Sequence, residues 1–174
     1  MKTLNTYINE WKANTNTVSS VKQINIDGFI YEHKKLDCIQ LFNYEWSQLK
    51  YYKDKIYING EHAKIDDNGE TIVKFEPGTY IFEIKDIDNV DDCRYMFWGC
   101  TELVKVPFFN TKKVTTMSGM FYKCLNLIEV PLLDISNVDL MSSMFERCNK
   151  LNKKTIKVWS TVYDFEKHCK IEKP

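Results

Sequence analysis

Residues 93–124 read CRYMFWGCTELVKVPFFNTKKVTTMSGMFYKC, and their spacing governs how the rest of the chain is read. Met96-Phe97 returns as Met120-Phe121 and again as Met144-Phe145, 24 residues apart each time. Cys100, Cys124 and Cys148 keep the same step, as do Leu103, Leu127 and Leu151, and Val90, Val114 and Val138. Val106-Pro107 recurs as Val130-Pro131. A fixed period of this length predicts stacked coils, each too small to bury its own apolar side and completed by its neighbours.

Within a unit, the runs 104–108 and 128–132 are the expected strands. Strict alternation along them turns Val106, Phe108, Val130 and Leu132 inward, and Phe109 and Leu133 outward. Val114, Met117, Met120 and Phe121 have near-helical spacing, which predicts a turn or two of helix or 3₁₀-helix. Asp86, Asn110 and Asp134 open the three units beside Asp88 and Ser136. Short polar side chains of this kind cap turns by bonding to nearby backbone N–H groups. A calcium site is disfavoured, because the glycine-rich loop of calcium-binding repeats is missing and Asn110 interrupts the acids. Three of the six cysteines fall on one repeat position and read as buried thiols. Coils spaced about 5 Å apart place such cysteines within disulfide reach, but in-register side chains do not aim at each other. No CxxC pair occurs, and no metal site is expected.

Residues 1–85 lack the repeat. A first helix is expected from about Thr3 or Asn5 to Ala13, and a second over 35–49 with Cys38, Leu41, Phe42 and Trp46 on one face. VKQINIDGFIYEH (21–33) alternates as a strand or hairpin. KIYINGEHAKIDDNGETIVKF (55–75) reads as paired strands with turns at Asn59-Gly60 and Asn68-Gly69, and 80–85 as a further short strand. After Leu151 the repeat decays, with a short helix expected from about Tyr163 to Cys169.

The chain has 174 residues, 44% hydrophobic and 28% charged, the profile of a folded protein. Its net charge of zero is unevenly placed. Residues 59–92 carry ten acids against three lysines, or −7, and residues 103–174 carry twelve bases against seven acids, or +5. Neutrality disfavours nucleic acid as a partner, although Trp46, Tyr51, Tyr52 and Tyr57 interleave with Lys50, Lys53 and Lys55. No export leader or membrane-spanning apolar run is visible, which predicts a cytoplasmic protein, or an extracellular one if a signal has been removed. No phosphate-loop, dinucleotide, zinc-protease or serine-hydrolase motif is present. His33, His62 and His168 lie far apart in sequence, and Glu61-His62 beside Asp66 and Asp67 reads as a solvated hairpin.

The units MFWGCTELVKV, MFYKCLNLIEV and MFERCNKLNKK, joined by NTKKVTTMSGMF and DISNVDLMSSMF, resemble the BspA-like bacterial leucine-rich repeats over about residues 86–158. The resemblance implies a short right-handed leucine-rich repeat solenoid of stacked β-strand coils. An α+β region (1–85) would cap one end and a degenerate coil (159–174) the other, giving an α+β fold overall. Members of that family are mostly exported adhesins that bind proteins and are not catalysts. The structural repeat core is then Met96, Phe97, Cys100, Leu103, Met120, Phe121, Cys124, Leu127, Met144, Phe145, Cys148 and Leu151. The functional expectation is a non-enzymatic protein-binding module without cofactor or metal, in one version an inhibitor of a host protein carried by a phage or mobile element. Its binding residues are expected on the concave face at Lys105, Phe109, Glu129 and Leu133. The alternative is a structural, adhesin-like protein that self-associates, and a third reading is an enzyme whose site lies wholly in residues 1–85.

Overall fold

Alternation of apolar and polar residues builds the sheet. The computed structural model describes residues 28–35, 37, 39–58, 60–72 and 74–161. In β1 (Phe29–His33), Phe29, Ile30, Tyr31 and His33 are buried and only Glu32 is exposed, and in β4 (Gly78–Ile84) the alternate residues Phe82 and Ile84 are buried. β2 (Ile56–Ile58) turns back into β3 (Glu61–Ala63) through Gly60, whose φ of 88° lies in the left-handed region that a tight hairpin needs. β5 (Leu103–Lys105) lies on the far edge. The five strands run β3-β2-β4-β1-β5, and each neighbouring pair is antiparallel.

The expected second helix is largely an irregular segment, followed by the four-residue α1 (Leu49–Tyr52). Aromatic and β-branched residues are poor helix formers, and here the backbone finds other partners. Leu41 and Phe42 N–H groups both donate to the Gly69 carbonyl, and Asp37 bridges Phe75. Gly69 has φ 83°, and a Cβ there would collide with the Phe42 carbonyl, so both the turn and the close approach demand glycine. Ile39, Leu41, Phe42 and Trp46 are all buried nonetheless.

The solenoid of stacked β-strand coils is not what the chain builds. Among the described residues the regular β-structure is one open antiparallel sheet, and β5 is the only strand of 86–158. Residues 128–132, expected as a strand, hold only a single-residue parallel bridge, Lys105 to Glu129. Two features of the sequence stop strands from growing there. Pro107 and Pro131 lack the N–H that would continue the pairing. Positive φ values at Tyr95 (59°), Gly99 (78°), Gly119 (62°), Lys123 (58°), Ser143 (53°) and Arg147 (64°) fold each unit into successive turns, at the same two positions each time. Val114 to Phe121, expected as helix, is an irregular stretch with single-residue parallel bridges from Thr116 to Asp92 and Leu140, followed by turns over 118–121.

Residues 24 apart nevertheless meet. The rings of Phe97, Phe121 and Phe145 stack with centroids 5.6 and 5.5 Å apart. Cys124 and Cys148 thiols donate to the Phe97 and Phe121 carbonyls at 3.0 and 2.9 Å, and the Cys100 thiol to the Leu41 carbonyl at 3.4 Å. The cysteine register thus reflects a small buried donor that satisfies a buried carbonyl. Met96, Met120, Met144, Leu103, Leu127 and Leu151 join these residues in one core. At one end Phe42 stacks on Phe97 at 5.7 Å. At the other, Trp159 of α2 (Lys153–Trp159) packs edge-on against Phe145 at 5.1 Å. Asn152 caps the start of α2, its side chain accepting the Thr155 N–H, where no helix is expected from the repeat. The helices expected over 3–13 and 163–169 lie outside the described residues.

Candidate functional site

Proline decides which side chains face outward. At Val106 the N–H donates to the Glu129 carbonyl, the last such bond before Pro107. Proline holds φ near −65°, so the two-residue alternation of a strand gives way to a three-residue step. Val106 and Phe109 are both buried, as are Val130 and Leu133. Phe109 is 4% exposed and Leu133 2%, whereas Phe108 is 68% and Leu132 40% exposed. The expected orientation is therefore inverted. Phe109 packs its ring 5.9 Å from Phe29 of β1 and serves the core, so neither it nor Leu133 offers a contact surface.

Lys105 and Glu129 are half-exposed and paired at 3.5 Å across the parallel bridge. An exposed pair of this kind adds at most about 1 kcal/mol and more usefully fixes the polar border of a surface. Phe108 and Leu132 each lie three residues beyond this bridge, in the same register. Ile128 adds a further 40%-exposed apolar side chain on the same stretch of the second unit. The signal for Phe108 and Leu132 was present in the sequence as Val-Pro followed by an apolar residue.

Other candidates are drawn into structural roles. Trp46 and Tyr52 stack at 5.2 Å in the core, which leaves Tyr51 as the exposed ring of the interleaved aromatic and lysine run. The Asp88 carboxylate accepts the Asn110 N–H, Asn110 Oδ1 accepts the Lys112 N–H, and Asp134 accepts the Ser136 N–H. Hydrogen bonds from Ser136 hold the Asp134 carboxyl below its ordinary value. Burial pushes the Cys93, Cys100 and Cys124 thiols far up, away from nucleophilic thiolate chemistry. His33 is buried, with Nδ1 2.9 and 3.0 Å from the two Glu102 carboxylate oxygens, while its Nε2 is buried with no hydrogen-bond partner among the described residues. His62 meets the Asp54 carbonyl at 2.8 Å. Among the described residues no group of three His, Cys, Asp or Glu side chains is placed to hold a metal ion, and no helix is long and apolar enough to cross a membrane.

Fold and surface together define a small α+β domain: one antiparallel sheet continued by a ladder of turns that carries exposed apolar side chains. The chain belongs to the DUF285 family, whose model, described as a Mycoplasma protein of unknown function, matches residues 76–171. That match replaces the BspA-like leucine-rich repeat assignment drawn from the motif. No curated protein and no solved structure matches the chain.

Proposed function

We propose that this protein is a non-enzymatic binding module that engages another protein through the face carrying Phe108 and Leu132. One observation carries the reading: two successive repeat units each present a large apolar side chain to solvent at the same register position, while their neighbours Phe109 and Leu133 are buried beneath them. Apolar groups on a rigid base with a charged border, here Lys105 and Glu129, suit a protein interface. The lysines at 112 and 113 lie four and five residues beyond Phe108 and add positive charge on one side. In this reading the binding residues are Lys105, Phe108, Glu129 and Leu132.

Replacing both Phe108 and Leu132 with Asp tests it. Both side chains are exposed, so the variant should keep the circular dichroism spectrum of the parent. Affinity capture followed by mass spectrometry should recover a discrete partner with the parent and lose it with the variant. Equal recovery by both would refute this face.

A further inference from the structure

α2 adds one more rung beside the two that carry Phe108 and Leu132. The Ile128 N–H donates to the Val104 carbonyl at 2.8 Å, and the Ile128 carbonyl accepts the Asn152 N–H at 2.9 Å. The Val130 N–H donates to the Thr155 hydroxyl at 3.4 Å, and the Trp159 indole N–H to the Val130 carbonyl at 3.3 Å. The runs 103–108, 128–132 and 152–159 therefore lie side by side in that order. Exposed apolar side chains stand on the first two: Phe108 on one, Ile128 and Leu132 on the other.

The third run exposes lysines instead. In α2 Thr155 and Trp159 are buried, while Lys153, Lys154 and Lys157 are exposed. Residues 150–161 hold four lysines and no acid. Among the described residues none of the four enters an ion pair, and Lys150 donates to the neutral Asn126 side chain at 2.6 Å. The two acids of residues 126–135 are engaged elsewhere, Glu129 with Lys105 and Asp134 with the Ser136 N–H. Helix stability does not account for this placement. Lys153 and Lys154 occupy the first turn of α2, which has no acid, and a helix disfavours cations at that end.

We propose that the partner of this face is a protein segment whose apolar side chains are flanked by Asp and Glu. Its apolar groups would seat on Phe108, Ile128 and Leu132, and its carboxylates on Lys153, Lys154 and Lys157. The proposal rests on the Phe108–Leu132 reading and adds the partner's chemistry to it. Apolar contact supplies the centre of such an interface, and complementary charge at its border steers encounter and rejects partners of the wrong sign. Nucleic acid is bound mainly through its phosphates and would leave the aliphatic Ile128 and Leu132 unused. An anionic bilayer would press against Glu129, which lies between the run of Phe108 and α2. A polypeptide can meet the Lys105–Glu129 pair with side chains of either sign.

The test selects a random peptide library, displayed on phage, against the immobilised full chain. Parallel selections use a lysine variant (Lys153→Glu, Lys154→Glu, Lys157→Glu) and an apolar variant (Phe108→Asp, Leu132→Asp). Every substituted side chain is exposed, so both variants should keep the circular dichroism spectrum of the parent. The parent should enrich peptides with at least twofold more acids than bases around apolar residues. The lysine variant should lose that excess, and should bind the synthetic consensus peptide at least tenfold more weakly by fluorescence anisotropy. Enrichment of no sequence, enrichment without an acidic excess, or the same excess on the lysine variant would overturn the proposal. Enrichment that the apolar variant leaves unchanged would instead overturn the face on which it rests. Binding of phosphatidylserine vesicles or oligothymidylate that the lysine variant abolishes, with no acidic peptide enriched, would also overturn it, assigning the lysines to a lipid or a nucleic acid.

Discussion

Two adjacent phenylalanines should respond in opposite ways to the same substitution. Phe109 is 4% exposed and packs on Phe29, whereas Phe108 is 68% exposed. Phe109→Ala removes a buried ring and leaves a cavity between β1 and the turn, at a cost of about 3–5 kcal/mol. Of this, the ring pair with Phe29 accounts for about 0.5–1.5 kcal/mol. Domains of this size have about 5–15 kcal/mol in total, so about a fifth or more of the stability is at stake. At about 2–4 °C per kcal/mol, Tm should fall by roughly 6–20 °C. Phe108→Ala should stay within about 0.5 kcal/mol of the parent, as substitutions at exposed sites do. Urea unfolding followed by tryptophan fluorescence measures both, since Trp46 and Trp159 are buried and report on the two ends of the core. Similar midpoints for the two variants, or a larger loss from Phe108→Ala, would refute the three-residue step assigned to the proline.

Three other predictions rest on separate features. Lys123 and Arg147 hold φ values of 58° and 64°, so Lys123→Gly or Arg147→Gly should stabilise by up to about 1 kcal/mol in urea unfolding, relief of left-handed strain outweighing the added freedom of the unfolded chain. In a background with Cys38 and Cys169 replaced by Ser, Cys93, Cys100, Cys124 and Cys148 should resist iodoacetamide at pH 8 and all react in denaturant, because they are buried and three have pKa values pushed far up. The Asp134 carboxyl is held below its ordinary value by Ser136, so its contribution is present above the ordinary carboxylate range and is lost as pH falls through and below it. Asp134→Ala should therefore flatten that part of the acid-unfolding curve without changing stability's slope near neutrality.

The sheet was the more legible part of the fold. Alternation and turn residues pointed to β2, β3 and β4, and Gly60 and Gly69 take up the left-handed turns that their sequence context required. The period of 24 was read as a stack of strands because periodicity reports which residues recur, not which backbone conformation carries them. The recurring contacts exist, through stacked phenylalanines and thiol-to-carbonyl bonds, but left-handed residues and prolines form them from turns. The outward orientation expected of Phe109 and Leu133 fails for the same cause: Lys105 and Glu129 precede the proline and are half-exposed, whereas Phe109 and Leu133 follow it and point inward.

A photo-crosslinking residue placed at position 108 tests the proposed binding face most directly, with position 51 as the comparison because Tyr51 is similarly exposed at 61%. Irradiation in lysate should give a discrete protein adduct from position 108 and none from position 51. No adduct at 108, or the same adducts from both positions, would contradict a binding module that works through Phe108 and Leu132.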